Sequence, residues 1–218
     1  MTRYYPAFLQ LAGKAVLLVG GGTVALQKAI PLGEAGALVT VVAPEVHPDM
    51  ENVPGVAKIL RRKFKAADLG KGAKAPWLVV AATDDEKLNA AIAKACDKAR
   101  LWVNVVDRPA FCSFILPAVV RQGLVTFAVS TSGASPALAK FLAARLGGAF
   151  GPEIASLAET LGSLRGRLKE MPMAARARLV ETALARAADK GFSPEALEAM
   201  RHEISSALDA QGDSHGKP

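Results

Sequence analysis

The stretch "VLLVGGGTVALQKA", residues 16–29, passes from an apolar strand-like run through three glycines into a helix-like pattern. Within it, Gly20-x-Gly22-x-x-Ala25 stands where a buried strand would end and a helix begin. Glycines there permit a tight turn, and the backbone amides at the helix start can face a pyrophosphate. The stretch therefore predicts a dinucleotide-binding loop. The alternative is a glycine turn that only packs the strand on the helix.

The residues around this loop alternate between β-branched runs and alanine-rich segments. Continuous apolar runs such as "WLVVAA", residues 77–82, indicate strands that are buried on both faces. We predict an α/β fold with a Rossmann-type parallel sheet. Its strands are expected at Ala15–Val19, Leu38–Ala43, Ala57–Arg61, Trp77–Ala82 and Trp102–Val106, and its long helices at Val24–Glu34 and Glu86–Ala99.

The pattern changes after residue 112. Residues 113–130 predict two strands joined around Arg121-Gln122-Gly123, and Ser135-Pro136 predicts a helix that runs through Leu146 and stops at Gly147-Gly148. Three amphipathic helices are expected from Pro152, with breaks near Met171-Pro172 and at 191–194. We therefore predict a domain at 1–112, a dimerisation and substrate-loop segment at 113–150, a small helical domain at 151–210 and a disordered tail at 211–218.

Charge and composition limit the classes of partner. The net charge of +7 and a pI near 9.6 favour an anionic partner, yet aromatic residues make up only 6% and no nucleic-acid-binding module is recognisable. Cys96 and Cys112 form no CxxC pair and no zinc-site spacing, so we expect reduced thiols and no metal site. No apolar stretch approaches a membrane span or an export signal. We expect a soluble cytoplasmic protein that binds neither nucleic acid nor membranes.

The choice of cofactor follows from the end of the second strand. That strand closes in "VVAPE", which places Glu45 23 residues after Gly22 and two residues beyond Ala43. An acidic residue near this position can bind the ribose of NAD, and no arginine is present there for the 2′-phosphate of NADP. NAD is the expected cofactor.

The catalytic residues that common dehydrogenase classes need can be compared with the residues present in the sequence. Short-chain dehydrogenases need a tyrosine in mid-chain, but only Tyr4 and Tyr5 are present, and the histidines are poorly placed for a hydroxy-acid dehydrogenase. Asp107 in "NVVDRP" follows the fifth strand and therefore stands at the carboxyl edge of the sheet, where ligands bind in such folds. We predict that Asp107 is an acid or base. From position alone, it could equally brace the turn before Pro109.

A second site is predicted in "VSTSGASP", residues 129–136. Its hydroxyls and amides crowd against a helix N-terminus, and Lys140 follows one turn into the helix, which suits an acidic substrate. The alternative is a serine-rich turn that caps its own helix. Thr83 and Asp85, at the end of the fourth strand, could contact cofactor or cap the next helix. The predicted substrate-binding residues are Asn104, Ser130, Thr131, Ser132, Gly133, Ser135 and Lys140.

Four stretches together resemble the precorrin-2 dehydrogenase family, which includes sirohydrochlorin ferrochelatases and the amino-terminal part of siroheme synthase. They are "YYPAFLQLAGKAVLLVGGGTVALQKA", "VVAATDD", "VNVVDRPAFCSFILPAVV" and "VSTSGASPALAKFLAARL", in consistent order over about residues 4–146. The similarity is loose over the helical remainder. The family often has two glycines after its serine-threonine pair, and here Ser132 replaces the first.

The resemblance implies oxidation of precorrin-2 to sirohydrochlorin with NAD as hydride acceptor, in siroheme and related tetrapyrrole synthesis. It implies that Asp107 is the catalytic aspartate, and that the cofactor contacts Gly20, Gly21, Gly22, Thr23, Val24, Pro44, Glu45 and Thr83. The basic composition suits a substrate with many carboxylates. The resemblance also implies a homodimer, which we expect to be built largely by residues 113–130.

Several alternatives stay open at this point. The enzyme could be bifunctional and also insert ferrous iron, which would bind transiently, into sirohydrochlorin. A non-catalytic NAD-sensing module would use the same glycine loop without turnover. A methyltransferase would need an acidic residue before the first glycine, where Val19 stands. The carboxy-terminal helices, instead of a second subunit, could cover the strand pair.

Overall fold

The computed structural model describes residues 3–214 and divides after Leu116 into two compact units. We predicted boundaries after residues 112 and 150. The structure places the first boundary four residues later, and it groups the strand pair and the carboxy-terminal helices in one unit.

The first unit is built on a parallel sheet of five strands. They are β1 (Ala15–Val19), β2 (Leu38–Ala43), β3 (Val56–Arg61), β4 (Leu78–Ala81) and β5 (Trp102–Val105), in the order β3-β2-β1-β4-β5. Helix α1 (Thr23–Glu34) connects β1 to β2, and α2 (Glu86–Ala99) connects β4 to β5. The predicted Rossmann-type fold is confirmed, with strand ends within a residue of their expected positions. Because the strand order reverses at β1, the crevice beyond the ends of β1 and β4 is the topological switch point.

Both faces of this sheet are buried, which explains the uninterrupted apolar strands. Along β1, Val16 and Leu18 face the cluster that includes Ala25 and Ala29 of α1. Leu17 and Val19 face the opposite cluster, which contains residues of α2. Small alanines on α1 let the helix approach the sheet closely, and this approach fixes the position of the helix N-terminus at the sheet edge.

The second unit begins with an antiparallel hairpin of β6 (Ala118–Gln122) and β7 (Val125–Val129). The strand pair was predicted, but its turn is Gly123-Leu124, because Gln122 still pairs with Val125 and Gly123 supplies a φ of 53°. Residues 113–117 are not part of a strand. No hairpin residue is fully buried.

Helix α3 (Pro136–Ala149) packs against this hairpin. The predicted stop at Gly147-Gly148 is wrong, since the helix continues to Ala149. Neither glycine has a positive φ, and a Cβ at Gly147 would lie 2.8 Å from a methyl carbon of Val120. Gly147 thus serves close packing, not helix termination. The Gln122 amide donates to the carbonyls of Gly147 and Phe150 at 2.9 and 2.7 Å and ties this end of α3 to the hairpin.

Three further helices follow with the predicted breaks. They are α4 (Glu153–Leu168), α5 (Met173–Asp189) and α6 (Pro194–Ser214), and their shared core includes Leu157, Leu164, Ala183, Met200 and Ile204. The backbone of α6 extends four residues into the segment predicted to be disordered, and residues 215–218 lie outside the described residues. Over residues 3–214, no helix is long and apolar enough to span a bilayer.

An ion pair between partly buried side chains fixes the chain between β3 and β4. Asp68 accepts two hydrogen bonds from the Arg62 guanidinium, at 2.9 and 2.6 Å, and one from the Lys65 amide at 2.8 Å. The Arg62 hydrogen bonds hold the pKa of Asp68 below its usual value. The stabilisation is complete above the unfolded pKa of about 3.9 and is lost as the pH falls through the lower folded value.

We predict that Asp68→Asn lowers the free energy of unfolding by about 1.5–3 kcal/mol at pH 7, because a charge-assisted hydrogen-bond set is lost. The difference from wild type should shrink as the pH falls below about 4 toward the lowered folded pKa, because protonation of Asp68 then removes the charge that asparagine lacks. Denaturant unfolding at pH 7 and pH 3 measures this difference. Asp84→Asn, at an exposed position, serves as the control. An equal loss at both pH values would contradict the role of the charge.

Candidate active site

The glycine loop lies where backbone segments approach each other too closely for side chains. A Cβ at Gly20 would lie 2.1 Å from the carbonyl oxygen of Ala82, and one at Gly21 would lie 2.0 Å from that of Glu45. Gly20 also has a φ of 124°, and the Gly21 carbonyl accepts the His47 amide at 2.7 Å. The loop is thereby held against the chain segments that leave β2 and β4.

Gly22 is different, because no heavy atom beyond its two chain neighbours lies within 4 Å of the position that its Cβ would take. It is the N-cap of α1 and contributes no side-chain hydrogen bond. The first intrahelical bond runs from Leu26 to Gly22, and no hydrogen bond among the described residues takes up the amides of Thr23, Val24 or Ala25. Unpaired amides beside open space at a helix N-terminus fit a pyrophosphate, so the residues present fit NAD.

Pro44 and Glu45 are exposed at the bend that follows β2. This bend is joined to the glycine loop through the contact of Gly21 with the Glu45 backbone and through the His47 amide. The structure thus brings Pro44 and Glu45, two of the predicted cofactor contacts, next to the loop. His47, whose Nδ1 accepts the Asp49 amide at 3.2 Å, is an additional neighbour that the sequence did not indicate.

Thr83, at the end of β4, takes part in a local network. Its hydroxyl donates to Oδ1 of the buried Asn89 at 2.8 Å, and the Asn89 amide donates to the Thr83 carbonyl at 2.8 Å. Asp85 caps α2 by accepting the Leu88 amide at 3.0 Å, which is the capping role considered from the sequence. Asn89 therefore fixes Thr83 at the switch point, and contact of Thr83 with the nicotinamide stays a prediction.

Asp107 lies in the turn after β5, at the carboxyl edge of the sheet. Its φ is 57°, in the left-handed region, and the Arg108 amide closes the turn by donating to the Val105 carbonyl at 3.2 Å. Among residues 3–214, the exposed Asp107 carboxyl has no hydrogen-bond or ion-pair partner, and Arg108 pairs with Glu86 instead. A carboxylate that braced the turn would bond to it.

Asn104 is buried on β5, and its amide donates to the Phe114 carbonyl at 3.1 Å. Beside it, Cys112 and Ser113 bond to the backbone of β5. The sequence analysis predicted that Asn104 binds substrate, whereas the structure shows its amide bonded to the Phe114 carbonyl. Its contact with substrate stays a prediction. Nothing in the spacing indicated Cys112, Ser113 or the Glu86–Arg108 pair.

The serine-rich loop belongs to the second unit. Thr131 accepts the Ser135 amide and donates to the Ser135 carbonyl, each at 3.0 Å, and Ser135 caps α3 by accepting the Leu138 amide at 3.2 Å. Ser130 accepts the Ser132 amide at 3.1 Å. Thr131 and Ser135 thus order the loop, which agrees with the capping alternative. Ser130, Ser132 and Gly133 are exposed, as is Lys140, and their contact with substrate stays a prediction.

Among the described residues, no group of three or more His, Cys, Asp or Glu side chains is arranged to hold a metal ion.

The parallel sheet, the reversal at β1 and the open helix N-terminus after Gly22 define a dinucleotide-binding domain of the Rossmann class. The chain belongs to the NAD(P)-binding family whose model, described as "Putative NAD(P)-binding", matches residues 7–118.

Curated relatives extend this similarity beyond the sheet. Siroheme synthase of Tolumonas auensis is 41% identical over 167 residues, which are 77% of this chain and 35% of the relative. Siroheme synthase of Nitrosococcus oceani is 38% identical over 180 residues, 82% of this chain and 38% of the relative. The chain thus spans little more than a third of the length of these relatives.

A solved structure shares the fold. "SirC, precorrin-2 dehydrogenase" superimposes with a TM-score of 0.71 at 23% identity, over 93% of this chain and 100% of that one. The resemblance to the amino-terminal part of siroheme synthase drawn from the sequence motifs is confirmed by the curated relatives, and the solved structure shows the shared fold.

The serine-rich loop, residues 129–136, carries one residue in a backbone conformation that favours glycine. Ser132 has a φ of 54° at the position where the family often has glycine. We predict that Ser132→Gly raises the free energy of unfolding by about 0.5–1 kcal/mol, because relief of the left-handed penalty exceeds the added entropy of the unfolded chain. Denaturant unfolding measures the gain.

Ser132→Ala is the matched control, because it removes the hydroxyl but keeps the unfavourable φ. It should be no more stable than wild type. Equal stability of the glycine and alanine variants would contradict the attribution to the backbone.

Proposed function

We propose that this chain oxidises precorrin-2 to sirohydrochlorin with NAD as the hydride acceptor, a step in siroheme synthesis. The observation that carries the proposal is the exposed Asp107 carboxyl, which has no partner among residues 3–214 and lies at the same sheet edge as the open glycine loop. The names of the relatives and of the solved structure point to the same pathway and reaction. The cytoplasm is the compartment that two free thiols favour.

The role of Asp107 follows from the chemistry of the oxidation. Bound NAD would supply the hydride acceptor at the switch point. The substrate must also lose a proton, and an exposed carboxylate without a structural partner is free to accept it.

The cofactor would be held by the amides at the start of α1 and by the bend after β2. Glu45 is exposed there, and its backbone contacts Gly21. Its carboxylate can accept hydrogen bonds from a ribose hydroxyl and would repel a 2′-phosphate. This favours NAD over NADP.

The substrate would be recognised through its carboxylates. The exposed Ser130, Ser132 and Gly133 offer hydroxyls and amides close to the N-terminus of α3, and Lys140 has no ion-pair partner among residues 3–214. A helix N-terminus and a free ammonium both stabilise carboxylates. The net charge of +7 would further attract a polyanionic tetrapyrrole.

We predict that Asp107→Asn lowers kcat for precorrin-2 oxidation by at least about 10²-fold, the usual scale for loss of a general base. Asparagine has nearly the same size and also tolerates a left-handed φ, so the turn should persist. Anaerobic turnover with NAD and with NADP, followed by absorbance, measures both the loss and the cofactor preference. NAD affinity should be unchanged in the variant.

Asp97→Asn, the same substitution at an exposed position near the C-terminal end of α2, is the control and should keep wild-type kcat. Full activity of Asp107→Asn would refute the assignment. Equal turnover with NAD and NADP would refute the role of Glu45, and NAD binding without any turnover by wild type would favour the sensing module.

The proposed enzyme is a homodimer, and the second unit offers the surface. Leu138, Phe141 and Leu142 recur at helical spacing on α3 and are 48%, 61% and 39% exposed. Helices α3 and α4 pack on the hairpin within the chain, and the alternative to a dimer was that helices of the same chain cover the strand pair. No hairpin residue is fully buried, however. A contiguous apolar stripe beside a half-buried hairpin is best covered by a second copy.

We predict that Phe141→Glu converts a dimer into a monomer of about 22.7 kDa, because a buried charge would oppose association. Light scattering at micromolar concentration measures the mass. Met173→Glu, at an apolar position that is 76% exposed on α5, should stay dimeric. A wild-type chain that remains monomeric on concentration would contradict the proposal.

A further inference from the structure

The outer edge of β5 is closed by side chains instead of a sixth strand. The amides of Val103 and Val105, which point away from β4, donate to Ser113 Oγ at 2.7 Å and to Cys112 Sγ at 3.2 Å. The Val103 carbonyl accepts the Ser113 amide at 2.9 Å, and the Cys112 thiol lies 3.2 Å from the Val105 carbonyl. We call Cys112 and Ser113 the edge clasp.

The Cys112 half of this clasp also spans the turn that carries Asp107. Its sulfur lies 3.3 Å from the Arg108 carbonyl, and the Asn104 amide approaches it at 3.6 Å. One thiol thus contacts the backbone on both sides of Asp107, at Val105 and at Arg108. No contact of this kind involves Ser113, which bonds to Val103 alone.

We propose that Cys112 is a positioning residue, whose thiol holds the 105–108 turn so that the Asp107 carboxyl keeps its place at the sheet edge. The inference rests on the proposed function of Asp107. It explains why Asp107 can keep a left-handed φ without any bond from its own side chain. The surrounding structure must hold such a residue in place.

The protonation state of the thiol suits this role. Burial raises the pKa of Cys112 above its usual value, so the group stays a thiol at neutral pH and keeps its S–H donor. It can then accept from the Val105 amide and donate to one of the two nearby carbonyls. Cys96 offers a comparison, because it is also a free thiol but lies on α2, where it is buried in the core between the helix and the sheet.

The first test compares Cys112→Ala, Cys112→Ser and Cys96→Ala in the full-length chain. Cys112→Ala should lower kcat about 10-fold or more, since small misplacement of a catalytic group is costly, while NAD affinity stays within about twofold. Cys112→Ser should recover most of the loss, because a hydroxyl can both donate and accept. Cys96→Ala should keep wild-type kcat. Equal kcat in Cys112→Ala and Cys96→Ala would overturn the inference.

A double-mutant cycle separates positioning from general loss of stability. If Cys112 acts through Asp107, Cys112→Ala should have no further effect on kcat in the Asp107→Asn background. Additive losses in the cycle would overturn the inference. Wild-type kcat in Asp107→Asn together with a loss in Cys112→Ala would overturn it too, since Cys112 would then act elsewhere.

Amide hydrogen exchange tests the contacts of Cys112 without any measurement of turnover. The Val105 amide should exchange at least about fivefold faster in Cys112→Ala than in wild type, and at the wild-type rate in Cys96→Ala. If wild type fails to oxidise precorrin-2, the proposed function fails, and the exchange result still decides whether Cys112 holds the turn. Unchanged exchange at Val105 would show that it does not. If Cys112→Ala fails to fold, Cys112→Val, which is close in size but has no donor or acceptor, supplies both measurements, with the same kcat loss and faster Val105 exchange expected.

Discussion

The first unit depends on the close contact of three chain segments at the carboxyl edge of its sheet. Gly20 touches the backbone that leaves β4, and Gly21 touches the backbone that leaves β2, at distances that exclude any Cβ. These contacts bring the glycine loop, Thr83 and Glu45 to one place. They also leave Gly22 and the first amides of α1 facing open space, which is what a pyrophosphate requires. A side chain at either glycine would separate the segments and remove the site.

Hydrogen-bond satisfaction at the sheet border is the second constraint. An edge strand with unpaired amides and carbonyls is a template for unwanted pairing. On β5 these groups are taken up by Cys112 and Ser113, so the chain after the sheet is fastened along the edge without forming a strand. The turn between β5 and the clasp is thereby short and fixed. Our proposed catalytic carboxylate sits on that turn, free of side-chain partners.

Two non-glycine residues with a positive φ lie in the two loops that we assign to chemistry and substrate. They are Asp107 and Ser132. The two other such residues, Arg100 and Phe192, follow the ends of α2 and α5, where left-handed residues are common. The left-handed φ of Asp107 and that of Ser132 have no such explanation in helix termination. Within the first unit the Cys112 contacts hold the turn of Asp107, and within the second the Ser130 hydroxyl accepts the Ser132 amide.

The sequence by itself determined the parallel sheet, the bounds of its strands and the position of the glycine loop. These rest on local signals: the period of apolar residues, the glycines after β1, and caps such as Asp85 and Ser135. It also placed Asp107 at the sheet edge, because every parallel strand ends there. The tertiary structure alone decided that the Asp107 carboxyl has no partner among residues 3–214, that the Asn104 amide bonds to the Phe114 carbonyl, and that α3 runs through Gly147. The last two depend on contacts with residues ten or more positions away, and such contacts leave no periodic trace in the chain.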